Sequence, residues 1–386
     1  MTEKKNIGLV TWFGTPNYGT SLQAYALYKL LEEKGFNVRI IKRFTEPFTL
    51  KNVKDNFFYA NGIRRFWKYH RYPFPVKLRR IRRFCRKEMQ VAKIYTAGDL
   101  QRMLNWADVF VAGSDQLWNC HDHFRSFEFL GFAKGKKRIS YATSIGTSGI
   151  PVEFSGKVKE YLSHFQSISI RERSGASSIA SVTGRTDIAT GLDPVLLQDT
   201  AFWNGVADRG TPCHFDQGTL SRVEKSMPGD YILWYVLRQP DQEQVQKLQA
   251  FAAESGQKII IVPSGEAPGF KMEGATIVRD AGIPEFVALV RSAALVITDS
   301  FHGTALSIVF SRPFISLKRF SDADPASQNI RIKDLLETLG IPDQSLPDGP
   351  EQGNLPAPID YDSVRKRLAQ LRAESAAWLD KALSDA

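Results

Sequence analysis

Cysteine is scarce in this chain: Cys85, Cys120 and Cys213 are the three among 386 residues. So few, and so scattered, cannot build a disulfide framework, which points to a reducing compartment. Long apolar runs are missing as well. No stretch approaches the roughly 18 apolar residues that a membrane-spanning helix needs, and the opening MTEKKN holds no apolar leader. A cytoplasmic protein is expected. The phosphate-binding Walker loop, the dinucleotide glycine pattern, the nucleophile elbow and a Cys/His hydrolase signature are all lacking. Histidine is sparse too, at six.

Acidic residues are missing from one region only. Between Arg64 and Lys87 there are eleven Lys and Arg and no Asp or Glu, within a chain of net charge +10. The remainder is therefore close to neutral. Phe66, Trp67, Tyr69, Tyr72, Phe74 and Phe84 interleave with that basic block. Such a mixture suits an anionic membrane surface, an acidic polymer or a solvated face packed by its aromatics. No nucleic-acid motif accompanies it, so nucleic acid is not an expected partner.

What is present is alternation. With 43% apolar and 24% charged residues the chain is ordinary globular material, long enough for two large domains. Residues 7–11 read as a strand, and Gly14 to Gly19 as a turn. Leu22, Ala26 and Leu30 then share a helical face that Gly35 closes. Strands follow at 38–41, 109–112, 139–142, 167–170 and 187–189, with 44–95 as a basic, aromatic insertion or helical cap. After a mixed segment, 198–229, a second series runs through strands at 231–237, 258–262, 276–278, 295–298 and 314–317. Helices at 242–255 and 283–292 lie between them. Val364, Leu368, Leu371, Trp378 and Leu379 mark a long amphipathic helix at 362–384. The expected class is α/β: two doubly wound, Rossmann-like domains, 1–197 and 198–386, facing a cleft, with the last helix returning to the first domain.

In open parallel sheets ligands bind beyond the carboxyl ends of strands, so the segments after strands carry the functional expectations. Asp299, Ser300, Phe301, His302, Gly303 and Thr304 end a strand and open a helix, whose first N–H groups suit an anion. Gly14 to Gly19 is either a phosphate-cradling loop or a plain turn. Ser114, Asp115, Gln116 and Asn119 beside Trp118 are what a sugar site needs, though Ser114 or Asp115 also suits a helix cap. Arg171 at a strand end is placed for a carboxylate or phosphate, or for an ion pair with Glu172. Asp193 before Pro194 closes another strand. Cys120, His121, Asp122 and His123 read as loop, and no metal is expected.

Taken in order, these segments resemble the polysaccharide pyruvyl transferase family. The matching pieces are Asn17, Tyr18 and Gly19 with Leu22 to Leu27, then Gly113 to Asn119, then Ser140 to Gly146. Ser169 to Glu172, Leu192 to Val195 and Thr298 to Thr304 complete the set. The resemblance implies a glycosyltransferase-B-like fold and transfer of a pyruvate-derived group from phosphoenolpyruvate to a sugar, forming a cyclic ketal. It implies phosphoenolpyruvate as co-substrate with no cofactor, an acceptor side in the first domain and a donor side in the second. His302 would protonate the donor or bind its phosphate, with Arg171, Arg173, Ser300, Gly303, Thr304 and Lys318 around it. Asp115 and Asp193 are alternatives for the hydroxyl base. Asn17, Tyr18, Gln116, Trp118 and Asn119 would meet the acceptor, free or lipid-linked. Arg79, Arg80, Arg82 and Arg83 would meet a lipid phosphate or the cytoplasmic membrane face. One departure stands out: several members carry Arg two positions before the histidine, where this chain has Ser300. Anion charge must then come from Arg171, Arg173, Arg312 or Lys318. A nucleotide-sugar glycosyltransferase and a non-catalytic glycan or lipid-phosphate binder are the competing functions.

Overall fold

The computed structural model describes residues 4–43, 74–121, 123–214, 220–221, 231–264, 272–321, 323–341, 347 and 358–384. Two parallel sheets organise them. The first holds seven strands: β1 (Asn6–Val10), β2 (Asn37–Arg43), β3 (Val91–Ile94), β4 (Val109–Ala112), β5 (Lys137–Thr143), β6 (Ser167–Ile170) and β7 (Ile188–Thr190). Their order is β3-β2-β1-β4-β5-β6-β7. After a short β8–β9 ribbon (Cys213–His214, Leu220–Ser221), the second sheet takes β10 (Tyr231–Tyr235), β11 (Lys258–Ile261), β12 (Ala275–Ile277), β13 (Leu295–Thr298) and β14 (Phe314–Ser316). Its order is β12-β11-β10-β13-β14. Both orders reverse direction once, beside β1 and beside β10, which is the doubly wound pattern. Ligand crevices belong at those reversals. The central strands VFVA and YILWY are buried at every position, as strands covered on both faces must be.

Twelve helices cover the sheets among the described residues: α1 (Tyr18–Glu33), α2 (Phe74–Glu88), α3 (Ala97–Trp106), α4 (Val152–Leu162), α5 (Arg173–Thr183), α6 (Pro194–Leu197), α7 (Thr200–Ala207), α8 (Gln242–Ser255), α9 (Ile283–Ser292), α10 (Phe301–Val309), α11 (Ile330–Thr338) and α12 (Tyr361–Ser384). Local sequence explains their ends. Thr96 with Asp99, and Asp241 with Gln244, close reciprocal capping boxes, and Gly256 ends α8 in the left-handed region. The expected insertion at 44–95 needs correction at its far end. Residues 91–94 are the edge strand of the first sheet and 74–88 the helix leading to it. Residues 64–73, with Phe66, Trp67, Tyr69 and Tyr72, lie outside the described residues.

The two domains share one core. Tyr18 of α1 stacks on Phe286 of α9 at 4.1 Å and 3°, and its hydroxyl donates to the carbonyl of Ala281. Lys77 of α2 is buried against the same ring, 4.1 Å from its centroid, and donates to the carbonyl of Pro263. Arg80 reaches Asp280 at 3.2 Å. Helix α12 begins on the second domain, where the Tyr361 hydroxyl donates to the carbonyl of Arg312, and ends on the first. There Arg372 donates to the carbonyls of Leu196 and Gln198, both at 2.7 Å, and Lys34 pairs with Asp380.

Burial pushes the Lys77 ammonium down to about 7. Between that value and the ordinary lysine range near about 10.4, the unfolded chain holds a proton that the folded chain releases. Folding stability therefore rises with pH across that window on account of Lys77. Chemical denaturation of wild type and Lys77→Met at pH 7 and pH 10 is expected to show wild type gaining on the variant as pH rises. Parallel pH profiles would refute the assignment.

Candidate active site

Asp193 is the hub of the cleft. It caps α6, with Oδ1 accepting from the Val195 N–H at 2.9 Å, so helix geometry fixes its carboxylate. Oδ2 accepts from Arg171 Nη1 at 2.8 Å and from Ser114 Oγ at 3.2 Å. His302 Nε2 stands 3.5 Å from the same oxygen, within ion-pair reach but without hydrogen-bond geometry. Burial alone would raise the Asp193 carboxyl. The His302 imidazole and the Arg171 guanidinium outweigh that and hold it well below the usual carboxylate range. Three strand ends and one helix start thus meet at one oxygen: Ser114 after β4, Arg171 after β6, Asp193 after β7 and His302 in the first turn of α10.

His302 crosses from the second domain to reach it. Its ring lies against the backbone of Gly19, where a Cβ would fall 2.1 Å from Nδ1. No side chain fits there, and the glycine is what lets the domains close around the imidazole. With Nδ1 against Gly19, Nε2 is the nitrogen turned to Asp193, and it is buried with no hydrogen-bond partner among the described residues.

Arg171 is enclosed. It pairs with Glu172 at 3.2 Å as well as with Asp193, lies 4.2 Å over the Phe301 ring and keeps Nη2 unpartnered. Of the two readings of Arg171 the ion pair is the one seen, and two carboxylates already neutralise its charge. Arg331, in α11, is different. It is 7% exposed, its guanidinium lies 6.0 Å over the same Phe301 ring, and it has no carboxylate partner among the described residues. Burial, then the neighbouring Arg171, pushes it down to about 9. Its partners are amides: Nη2 donates to Gln328 Oε1 at 2.8 Å, and turning the Gln116 amide places its oxygen 2.9 Å from Nη1. A cavity of about 340 Å³ opens here, bounded by Arg171, Asp193, Phe301 and Arg331 and, from α12, by Leu371, Ser375 and Trp378. The sequence reading missed Arg331. It sits in an amphipathic helix with no motif around it, and an unpaired buried guanidinium is visible only once the fold brings Phe301 and Arg171 beside it.

Asp115 is 5% exposed, with backbone φ of +76°, in the left-handed region that costs a non-glycine residue energy. Its Oδ1 accepts from the Gln116 N–H at 2.9 Å. Glu172, 2% exposed, accepts from Ser144 Oγ through Oε1 and leaves Oε2 without a partner.

Several expected ligand contacts fall elsewhere. Trp118 is fully buried, stacked on Phe129 at 5.2 Å and edge-on to Phe165, so no ring face remains for a sugar. Tyr18 is equally buried in the domain interface. Asn17 caps α1 by accepting from the Gly19 N–H. Ser300 caps α10 by accepting from the Gly303 N–H, and the Thr304 N–H donates to the Ser300 carbonyl, so neither amide is open to an anion. Arg312 precedes β14 and lies at the sheet's amino end, away from the crevice; Lys318 follows it, its N–H donating to Pro347. Arg173 is exposed at the rim of the 340 Å³ cavity. Gln116 and Asn119 do lie at the cleft, their side-chain amides 3.0 Å apart, and the Gln116 amide stands 2.9 Å from that of Gln328 in the second domain. In the basic helix, Arg80 is taken up by Asp280 and Glu285, whereas Arg79, Arg82 and Arg83 are exposed.

The family model described as polysaccharide pyruvyl transferase matches residues 17–319. No curated protein sequence matches the chain. Among solved structures, UDP-GlcNAc 2-epimerase from Methanocaldococcus jannaschii is similar at 13% identity over 100% of both chains, with a TM-score of 0.48. UDP-N-acetylglucosamine 2-epimerase from Rickettsia bellii is similar at 10% identity over 98% of each chain, TM-score 0.45. Arabidopsis thaliana UGT89C1 complexed with UDP-L-rhamnose is 13% identical over 98% of this chain and 93% of that one, TM-score 0.49. The matched span takes in every strand of both sheets except β1, together with Gly19, Arg171, Asp193 and His302, and by that match the chain belongs to the polysaccharide pyruvyl transferase family, a family of transferases.

Proposed function

We propose that the enzyme moves a pyruvate-derived group from phosphoenolpyruvate to a sugar of a polysaccharide or its lipid-linked precursor, forming a ketal. The observation that carries this reading is a set of buried groups around Asp193 among the described residues: His302 Nε2 and Arg171 Nη2 without hydrogen-bond partners, and Arg331 without an ion-pair partner. Buried groups of this kind are costly unless a ligand completes them. A small dianionic or trianionic donor supplies the missing charge. In this reading Arg331 takes the donor's carboxylate or phosphate, and Arg171 supports it through Nη2. His302 gives a proton from Nε2 to the methylene carbon, and Asp193 carries the counter-charge. The cation at the central carbon is attacked by one sugar hydroxyl, and a second hydroxyl displaces phosphate. Of the two hydroxyl protons, one replaces the proton spent on the new methyl group and the other leaves with phosphate. Glu172 Oε2 and Asp115 stand as the carboxylates available to take them.

The direct test is phosphate release followed by 31P NMR, with phosphoenolpyruvate and a galactose- or mannose-containing acceptor. Acceptor-dependent phosphate with a pyruvate ketal in the product is expected; a nucleoside diphosphate that stabilises the protein while phosphoenolpyruvate does not would overturn the reading. Arg331→Met is expected to raise the melting temperature of the free protein, because it removes an unpaired buried charge. The same change abolishes the shift that phosphoenolpyruvate gives wild type. Gly19→Ala should keep the fold but displace the His302 ring, costing at least about 100-fold in kcat, the low end of what a general acid contributes. Unchanged kcat would show that the imidazole is not the donor of the proton.

Arg79, Arg82 and Arg83, with Arg86, form an exposed basic stripe along α2. In this reading it meets anionic lipid at about 1 kcal/mol per residue. Co-sedimentation with vesicles is expected to rise with their phosphatidylglycerol content and to fall in the Arg79→Gln, Arg83→Gln pair.

A further inference from the structure

The 340 Å³ cavity beside Asp193 has two sides of opposite character. On one stand Arg171 and Arg331, their guanidinium groups 4.2 Å and 6.0 Å from the Phe301 centroid. On the other, Leu196, Leu335, Leu371 and Trp378 make an apolar wall that a small, wholly polar molecule does not need. Arg173, Thr190 and Glu374, all exposed, mark where the space opens to solvent. A largely apolar lining with a few convergent polar groups is the usual make-up of a small-molecule site.

The polar side has a place for one negative charge. Arg171 is paired with Glu172 and Asp193, though its Nη2 has no hydrogen-bond partner among the described residues. Asp334, one turn beyond Arg331 in α11, accepts from the Ser174 N–H and hydroxyl at 3.1 Å and 2.8 Å. In all, three guanidinium groups face four carboxylates, those of Glu172, Asp193, Asp334 and Glu374, so the lining has no positive excess. What it has is one guanidinium, that of Arg331, held by amides rather than by a carboxylate among the described residues. Burial and the neighbouring Arg171 disfavour its charge, and an anion beside it would offset that cost. A monoanion completes such an arrangement, and an apolar body completes the wall opposite.

The cavity lies beside the reacting groups rather than among them. His302 does not line it, its Nε2 being turned to Asp193. A ligand seated there meets the guanidinium groups without reaching the imidazole. The walls from α11 and α12 also lie beyond residue 319, where the family match ends. We propose that this cavity is an inhibitory site for a small monocarboxylic acid bearing an aryl or branched alkyl group, which occupies Arg331 in competition with the donor. Its carboxylate meets Arg331 and accepts from Arg171 Nη2, and its apolar group lies against Leu335, Leu371 and Trp378. The binding stands on the cavity alone; the competition rests on the transferase reading, in which the donor's acid group uses Arg331.

Three probes separate the two features in calorimetric titrations of the full chain: 3-phenylpropionate has both, 3-phenylpropanol the apolar group alone, and acetate the carboxylate alone. 3-Phenylpropionate is expected to bind at least about tenfold tighter than either. Arg331→Met should bring the acid down to the affinity of the alcohol. Leu371→Ala should weaken 3-phenylpropionate by at least about threefold and leave acetate unchanged. In assays with phosphoenolpyruvate, the acid should raise the donor KM and leave kcat alone. Equal affinity for acid and alcohol, or 3-phenylpropionate binding that ignores both substitutions, overturns the site. Inhibition that lowers kcat at unchanged KM overturns the competition. Binding as expected without any phosphoenolpyruvate turnover keeps the site and sinks the transferase reading. Turnover in a protein that binds none of the three probes does the reverse.

Discussion

The contact between the Gly19 backbone and the His302 ring is the constraint on which the site depends. A Cβ at Gly19 would sit 2.1 Å from Nδ1, so the imidazole can reach Asp193 only because the first residues of α1 present bare backbone. That approach would count for little if the domains were free to part. Beside it, Tyr18 commits its whole side chain to the other domain, stacked on Phe286 and bonded to Ala281. Adjacent residues of one helix turn thus do opposite things: Tyr18 fills space across the interface and Gly19 leaves it open. The imidazole is positioned by packing rather than by a hydrogen bond of its own.

Charge then decides the roles of the groups around it. Arg171 faces Glu172 at 3.2 Å and Asp193 at 2.8 Å, so its positive charge is committed before any ligand arrives. Arg331 has amide partners instead of carboxylates, which satisfy its hydrogens but leave its charge. A buried cation in that state is poorly stabilised, which is why it is pushed down to about 9. Ser300 fits this division of labour. At that position this chain has a helix cap, and a guanidinium from α11 stands over the neighbouring Phe301 ring.

Much of this was legible in the sequence. Apolar runs separated by helical periods mark both sheets, because strands buried on two faces have no polar alternation to blur them. The post-strand segments carrying Ser114, Arg171, Asp193 and His302 were likewise readable, since topology alone says that strand ends line the crevice. What failed was direction. Trp118 beside Asp115 and Asn119 has a sugar site's composition, but the chain turns at Asp115 and sends the indole inward to Phe129 and Phe165. Gly303 and Thr304 open a helix, yet Ser300 caps the amides that a one-dimensional reading left open. Edge strand β3 was lost in a basic, aromatic stretch, where so short a strand looks like any loop. Arg331 lacked any sign, for Arg171, Gln116 and Phe301 are brought to it from distant segments.

Helix α12 explains why the site is largely formed before ligand binds. It starts at Tyr361 on the second domain and ends beside Lys34 of the first, and between these points Ser375 accepts from the Leu192 N–H, one residue before Asp193. The same helix supplies Leu371, Ser375 and Trp378 to the wall of the 340 Å³ cavity. A brace that both spans the domains and holds the strand end carrying the hub carboxylate couples the two. Opening the cleft by rigid-body rotation would have to break the Arg372 bonds to Leu196 and Gln198, or pull the segment that contains Asp193 with it. Together with the apolar interface at Tyr18, this favours a fixed cleft entered from its ends over one that closes around its substrate. In the proposed reading, fixed geometry also serves Arg171 and Arg331 at the cavity wall, because their desolvation has already been met by the fold.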